Sequence, residues 1–392
     1  MIQLVKDTID NQDIDHLIDW LKGYPHLTKG EVTIEFEKKW SLQAGVSHSV
    51  FVNSGSSAIL LMLQALIENG RLSKGDKVVV PAVSWATDLA PVIQLGLEPI
   101  LCDCNLDDLS IDIELFKQAI LQEKPKVLIL VTVLGLVPQM DIIKSICDEN
   151  EVILLEDICE GLGSEFKGKK LGTWGLMSAC STYFGHHIST IEGGIITTND
   201  NEIYNILKSI RSHGWDRDMD DPYQKKLREE FPCTPFESLY KFYYCGFNLR
   251  STDLQAFIGI SQLDKLPEII KKRNENYKLY DSLLDDSLWR PNQPEHYCFV
   301  SNFAYPLICE KRNAIAEELS KNNIACRPLI SGSMHKQPFW IKRAQKTFNL
   351  NNASKVNDVG MYIPNNHQLT PEEIELISSI VNLTVSNHGL KK

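Results

Sequence analysis

Two adjacent histidines, His186 and His187, offer the most readily interpreted chemistry in this chain. An imidazole gains and loses a proton near neutral pH, so either side chain could act as a general acid or base. Neighbours on an extended segment point to opposite faces, which disfavours joint binding of one metal ion. No third ligand with a recognisable spacing follows. The pair therefore indicates proton transfer or a structural role, and we expect no metal.

Small residues at a strand-to-helix junction indicate a possible anion site. Gly55, Ser56 and Ser57 follow an apolar strand and begin a helix. Exposed N–H groups at a helix N-terminus favour a phosphate. The same serines could simply cap the helix. The segment alone leaves both interpretations open.

Trp85 and Asp157 each follow a different predicted strand. An aromatic face at the C-terminal edge of a parallel sheet could stack on a pyridine ring, although a tryptophan can equally fill the core. A carboxylate at the end of a buried strand lies where α/β proteins bind ligands, although Asp157 could equally cap a helix. Ser181 lies on a further strand and His186 just after it. These groups follow separate strands, so together they predict one site.

The elements that must position these groups alternate along the chain. Short apolar strands, predicted at 48–53, 77–82, 98–103, 127–133, 152–156, 179–184 and 195–198, are separated by helices. This alternation predicts an α/β fold with a parallel, doubly covered sheet. A long helix at 251–280 precedes a predicted strand at 299–307 and two helices. We predict a large domain over 1–250, and a long connecting helix with a small C-terminal domain over 251–392. The charged segment 216–230 is predicted to be a solvated loop.

Composition narrows the class of protein. The chain has 392 residues, 43% hydrophobic and 23% charged, with a net charge of −11, which argues against broad nucleic-acid binding. No apolar run is long enough to span a membrane, and the N-terminus does not resemble a signal peptide. Ten scattered cysteines fit reduced thiols, so we expect a cytoplasmic protein.

Taken together, the motifs resemble the DegT/DnrJ/EryC1/StrS sugar aminotransferase family over residues 25–385. The motifs are NSGSS at 53–57, PAVSW at 81–85, LEDICE at 155–160, STYFGHHISTIEGG at 181–194 and GFNLRSTD at 246–253. The resemblance implies the aspartate aminotransferase fold (fold type I). That fold has a large domain with a mostly parallel seven-stranded sheet and a small α+β C-terminal domain. It also implies pyridoxal 5′-phosphate (PLP) as cofactor.

One position departs from most of that family. His186 stands where the family places the lysine that binds PLP covalently and moves protons. An imidazole cannot form that bond, but it can move a proton. The chain resembles the histidine-containing branch of the family, which implies that PLP or its amine form, pyridoxamine 5′-phosphate (PMP), is held non-covalently. Gly185 departs from the serine that this branch tends to carry, so a hydroxyl contact to the phosphate is missing at this point.

The resemblance also implies roles for individual residues. Gly55, Ser56, Ser57 and Ser181 are expected at the phosphate, Trp85 on the ring, Asp157 at the ring nitrogen, and Glu160 among the cofactor-binding residues. Asn248 is expected to reach the phosphate bound by a neighbouring subunit, which implies a homodimer with shared active sites. His213 and Arg250 are candidate substrate residues. Ordinary structural roles for Glu160 and His213, and an ion pair of Arg250 with Asp253 or another acid, are the alternatives.

The implied reaction removes the C3 hydroxyl of a nucleotide-linked 4-keto-6-deoxy sugar, with GDP-4-keto-6-deoxymannose as the expected substrate. L-Glutamate would be the amino donor, and ammonia would be released. Three alternatives stay open: a nucleotide-sugar aminotransferase, the same dehydration on another nucleotide-linked hexose or heptose, and a non-catalytic ligand-binding relative.

A second histidine-containing branch carries a [2Fe–2S] cluster on four cysteines. Three of those cysteines are clustered after the histidine strand. Cys159 stands at a plausible first position here, but between the histidine strand and Asn248 only Cys233 and Cys245 occur. Because such a cluster needs four soft ligands within reach of each other, we expect none.

Overall fold

The computed structural model describes residues 1–343 and 348–387. Its helices are α1 Asn11–Leu21, α2 Glu31–Ala44, α3 Gly55–Glu68, α4 Ala86–Gln94, α5 Ile113–Glu123, α6 Met140–Glu149, α7 Asn201–Ile210, α8 Asp221–Glu230, α9 Asp253–Leu283, α10 Arg312–Lys321, α11 Pro338–Ile341, α12 Asn351–Val359 and α13 Pro371–Asn387. Its strands are β1 His48–Val52, β2 Lys77–Pro81, β3 Glu98–Cys102, β4 Val127–Val131, β5 Ile153–Asp157, β6 Glu165–Phe166, β7 Lys169–Lys170, β8 Met177–Ser181, β9 Gly194–Thr198, β10 Cys298–Phe299, β11 Ala304–Ile308, β12 Arg327–Pro328 and β13 Gly360–Pro364.

A seven-stranded sheet forms the centre of the molecule, in the order β1-β9-β8-β5-β4-β2-β3. Strand β9 runs antiparallel to both neighbours, and the other six strands are parallel. Strand β4, an interior strand of the sheet with the sequence VLILV, is buried at every position. Strands covered by helices on both faces need such continuous apolar runs. The predicted α/β class and mostly parallel seven-stranded sheet are confirmed.

The long helix α9 connects this sheet to the C-terminal part. Thr252 and Gln255 form a reciprocal cap at its start, which fixes where the helix begins. The helix packs against α2 on one side and α13 on the other. Beyond it, β11, β13 and β12 form a three-stranded sheet. The division at residue 250 stays a prediction, and its second part includes nine residues outside the described ranges. No helix within the described ranges is both long and apolar enough to cross a membrane.

Two local predictions were wrong. The strand predicted at 299–307 is two strands, because β10 pairs with β6 and β11 pairs with β13. The buried polar residues Ser301 and Asn302 separate them and form other hydrogen bonds. The loop predicted at 216–230 contains α8, whose Leu227 is buried and whose Arg228 bonds the buried Asp216 at 2.6 Å. This anchoring depends on tertiary contacts that the charged sequence did not reveal.

Candidate active site

A cavity of about 380 Å³ opens where several parallel strands end. Its residues come from the segments that follow β1, β2, β4, β5 and β8, and from the C-terminal part. They are Ser54, Gly55, Ser56, Ile59, Trp85, Thr87, Val131, Thr132, Asp157, Cys159, Glu160, Ser181, Tyr183, Gly185, His186, Glu192, Phe303, Ile330 and Tyr362. The carboxyl ends of parallel strands meet at one edge, and this topology therefore brings distant motifs together.

Most of the predicted site residues line this single cavity. They are Gly55, Ser56, Trp85, Asp157, Glu160, Ser181 and His186. Ser57 does not line it. The Ser57 backbone N–H donates to Ser54 Oγ at 3.1 Å, and the Ser54 hydroxyl donates to Ser57 Oγ at 3.0 Å. The residue that caps α3 is therefore Ser54, and Ser57 is bound to that cap.

The N-terminus of α3 forms one wall of the cavity. The first N–H groups of a helix have no acceptor within the helix, and here Gly55 and Ser56 occupy those positions. A Cβ on Gly55 would lie 2.7 Å from Ser181 Cβ and 3.2 Å from Cys159 Sγ. Only glycine permits this close approach. The wall therefore offers backbone donors and the Ser181 hydroxyl to an anion.

His186 lies in a turn just after β8, where its backbone N–H donates to the Tyr183 carbonyl at 2.9 Å. Its Nδ1 is buried and has no hydrogen-bond partner within the described residues. The ring packs against Phe303 with centroids 5.4 Å apart. Burial lowers the pKa of His186 to about 4, and the nearby Asp157 charge opposes this shift. The imidazole is therefore neutral at pH 7 and able to accept a proton.

His187 has different surroundings from its neighbour. It is fully buried, and its Nε2 lies 3.0 Å from the Ser301 hydroxyl. This environment assigns it a structural role. Residues 1–343 and 348–387 contain no group of three or more His, Cys, Asp or Glu side chains that could hold a metal ion. Cys159 lines the cavity, whereas Cys245 is exposed.

Carboxyl groups form the floor of the cavity. Asp157 Oδ1 accepts the N–H of Cys159 at 2.8 Å. Glu160 Oε2 accepts the N–H of Leu134 at 2.7 Å, and burial raises the pKa of Glu160 to about 8. Trp85 stands at the rim with 54% of its surface exposed. The carboxyl group of Asp157 could therefore accept a hydrogen bond from a cationic ring N–H, and Trp85 offers an aromatic face.

Asn248, His213 and Arg250 lie together on a surface outside this cavity. Arg250 Nε donates to Asn248 Oδ1 at 3.1 Å. The His213 ring centroid is 5.1 Å from that of Trp215, and the Arg250 guanidinium lies 5.8 Å from the same ring. Asp253 accepts the N–H groups of Gly30 and Thr33 at the start of α2, and no ion pair joins it to Arg250.

The sequence analysis did not predict the cavity-lining residues that come from the C-terminal part. Phe303, Ile330 and Tyr362 come from short segments without a recognisable motif. The buried Arg273 of α9 donates to the Phe303 carbonyl at 2.8 Å and to the Asn365 carbonyl at 2.5 Å, which holds this part of the cavity wall in place. Only the apolar character of these segments was visible in the sequence.

A family model for the DegT/DnrJ/EryC1/StrS aminotransferase family matches residues 7–382. The chain belongs to this family. Other members are similar over most of their length. The GDP-4-keto-6-deoxy-D-mannose 3-dehydratase of Escherichia coli O55:H7 is 36% identical over 363 residues, covering 90% of this chain and 92% of that protein. The enzyme of the same name from Yersinia pseudotuberculosis is 36% identical over 369 residues, covering 91% and 90%.

Solved structures of family members confirm the fold. A GDP-4-keto-6-deoxymannose-3-dehydratase variant with bound GDP-perosamine superposes with a TM-score of 0.88 at 32% identity, covering 97% of this chain and 100% of that one. Another structure of that dehydratase, with a trapped PLP–glutamate geminal diamine, gives a TM-score of 0.87 at 32% identity, with coverage of 97% and 100%. The fold is therefore that of PLP-dependent family members.

Proposed function

We propose that this protein is a PLP- and PMP-dependent 3-dehydratase acting on a nucleotide-linked 4-keto-6-deoxy sugar, with GDP-4-keto-6-deoxymannose as substrate. One observation carries the proposal: the cavity presents the His186 imidazole, and no lysine is among the described residues that line it. Residues 1–343 and 348–387 therefore offer no amine there for covalent attachment of PLP. They offer instead a neutral base.

The residues fit the cofactor. When bound, PLP or PMP supplies an electron sink and, as PMP, the primary amine that a ketone requires. The Gly55 and Ser56 N–H groups and the Ser181 hydroxyl would hold its phosphate. The face of Trp85 would stack on its ring, and the Asp157 carboxylate would accept the ring N–H. The close approach at Gly55 leaves space where a Cβ would intrude.

His186 would move the proton of the reaction. In the proposed role it takes a proton from the cofactor C4′ carbon and returns it to the C3 hydroxyl as that group leaves. Its low pKa favours the neutral form that accepts a proton. Overall, glutamate becomes 2-oxoglutarate, its nitrogen leaves as ammonia, and the sugar loses one oxygen. Names of relatives support this choice over transamination, since both 36% identical enzymes are 3-dehydratases.

The test is an incubation of purified protein with PLP, glutamate and GDP-4-keto-6-deoxymannose, followed by mass spectrometry and an ammonia assay. We expect a sugar one oxygen lighter, together with ammonia and 2-oxoglutarate. An amino sugar without ammonia would establish an aminotransferase instead. If the protein converted only a CDP- or TDP-linked sugar, the proposed nucleotide would be wrong, but the proposed dehydration would stand.

The titration of His186 provides a prediction that needs no substrate. In the cofactor-free protein we expect its imidazole to titrate near pH 4 rather than near its ordinary value of 6.5. Between these values the unfolded chain binds a proton that the folded chain excludes. The free energy of unfolding is therefore unaffected by this group above pH 6.5, and it decreases as pH falls from 6.5 toward 4. NMR titration, with assignment from His186→Asn, measures the midpoint, and a value near 6.5 would contradict the prediction.

We also propose a homodimer in which Asn248 completes the active site of the partner subunit. This proposal is supported by the position of Asn248, His213 and Arg250 outside the cavity of their own chain. Because Arg250 orients the Asn248 oxygen through a hydrogen bond, the amide nitrogen is left available for a phosphate.

Complementation tests the shared site. Asn248→Asp would place a negative charge against the cofactor phosphate and inactivate the protein, as His186→Asn also would. Mixed dimers of these two variants contain one intact site, so refolding them together should restore up to about a quarter of wild-type activity. Ammonia release measures the recovery. If the mixture stays as inactive as each variant alone, Asn248 does not act across the dimer.

A further inference from the structure

A second carboxyl group lies behind Asp157 and has no assigned role. Asp88, the third residue of α4, is fully buried and does not line the cavity. Its Oδ2 accepts the N–H of Trp85 at 2.9 Å, which caps the helix. Its buried Oδ1 accepts no hydrogen bond from an N–H or hydroxyl donor within the described residues, but the Asp88 carboxyl lies within hydrogen-bonding reach of the Asp157 side chain. Helix capping therefore accounts for only one of its two oxygens.

The groups that face Asp88 carry no positive charge. They are the carboxyls of Asp157 and Glu160 and the buried thiol of Cys159. No ion pair among the described residues includes Asp88 or Asp157. Burial raises the pKa of Asp88 well above its usual range, and the Asp157 charge raises it further. With no cation to offset these effects, the enclosed Asp88 keeps its proton.

The position of each group decides where that proton resides. Asp157 faces the cavity, where water or a ligand can solvate its charge, and its Oδ1 already accepts the Cys159 N–H. Asp88 is enclosed, so its ionised form is the less favourable of the two. We propose that Asp88 is a positioning residue, a protonated carboxylic acid whose O–H is directed at the Asp157 carboxyl group and holds that group in one orientation. A buried acid kept neutral as a donor is a known arrangement in active sites.

The consequence for the cofactor rests on the proposed function. If Asp157 pairs with the ring nitrogen, Asp88 supplies the second contact that fixes the direction of that carboxylate. An ordinary helix cap would behave in the opposite way. An ionised Asp88 would be favoured near the N-terminus of α4 and would stabilise the fold as pH rises.

Asp88→Asn separates the two roles. The amide oxygen can still accept the Trp85 N–H, and the amide nitrogen can donate to Asp157 at every pH. In the wild type, the unfolded chain ionises Asp88 near its ordinary pKa of 3.8, whereas the folded chain keeps the proton. Rising pH therefore weakens wild-type folding by up to about tenfold in the equilibrium constant per pH unit until Asp88 ionises in the fold.

The measurement is the melting temperature of both proteins, free of cofactor, from pH 4 to pH 8. All other titrating groups are shared, so the difference isolates Asp88. We expect the Tm of Asp88→Asn relative to wild type to increase with pH. In the Asp157→Asn background this increase should shrink, because the facing charge is gone. A difference that is constant, or that falls with pH, would overturn the proposal.

Cofactor binding gives an independent readout. Titration of PLP by absorbance should show normal affinity for Asp88→Asn and at least a several-fold weaker affinity for Asp88→Leu, which lacks a donor. If Asp88→Leu does not fold, the wild type and Asp88→Asn still decide the question through their melting temperatures. If the wild type binds no PLP, the proposed function fails, while the pH dependence still decides whether Asp88 holds the proton. Equal PLP affinity for a folded Asp88→Leu would contradict the positioning role.

Discussion

His186→Asn is expected to lower dehydratase turnover by about 100- to 10,000-fold, the usual contribution of a general acid–base group. Asparagine fills similar space but cannot carry the proton. PLP affinity should change little, because the anion-binding wall at Gly55 and Ser56 is separate from this side chain. Ammonia release and equilibrium PLP binding measure the two effects. His16→Asn on α1 is the matched control, since His16 is exposed. Full turnover by His186→Asn would remove His186 from the mechanism.

The lysine variant extends this test to the chemistry of attachment. His186→Lys places a primary amine at the position where the family usually carries one, so PLP should become covalently bound. Borohydride reduction followed by mass spectrometry of the intact protein would detect the adduct, and dehydration should fall as in His186→Asn. If the variant forms no adduct although it still binds PLP, residue 186 does not face the reactive carbon of the cofactor.

Glu37→Ala is expected to destabilise the fold by about 3–5 kcal/mol, the usual effect of breaking a buried ion pair. Glu37 Oε1 lies 2.5 Å from Nη1 of the fully buried Arg211 and accepts the Phe51 N–H at 2.7 Å. Its loss would leave the buried guanidinium with Asp218, at 3.8 Å, as its remaining acidic partner, and would leave a strand N–H without an acceptor. Urea denaturation measures the free energy of unfolding.

The same helix provides the control. Glu35 pairs with Lys39 at 3.0 Å, but both side chains are about half exposed, at 55% and 45%. Solvent screens such a pair, so Glu35→Ala should change stability by at most about 1 kcal/mol. Equal effects of Glu35→Ala and Glu37→Ala would show that burial of the Arg211 pair contributes nothing.

Local patterns predicted the central sheet well, for identifiable reasons. The run at β4 is apolar at every position, and α3 begins directly after a serine cap, so each element is specified by neighbouring residues. The site followed from topology. Asp157 and Ser181 end parallel strands, and such ends meet at one edge. The family motifs added His186, which lies in a turn that no periodicity would have identified.

The remaining features depend on contacts between distant parts of the chain. Tyr362 and Phe303 reach the cavity only because α9 and the small sheet fold back over it. The burial of Asp88 is likewise invisible in the sequence, and the sequence analysis did not identify this residue. The position of Asn248 outside the cavity of its own chain also depends on tertiary structure, and only the family resemblance bore on its role. Packing decides these features, and single-sequence patterns do not record packing.

The turn that carries His186 also bears on how such a site could change its reaction during evolution. The turn lies outside the sheet, and the imidazole Nδ1 has no hydrogen-bond partner within the described residues. Exchanging this side chain therefore breaks no strand pairing, although the Cys159 backbone loses its hydrogen bond with the imidazole. The close approach at Gly55 and the carboxylate at the end of β5 belong to other segments and would remain. The turn can thus exchange its base during evolution while the sheet that positions the other groups is kept.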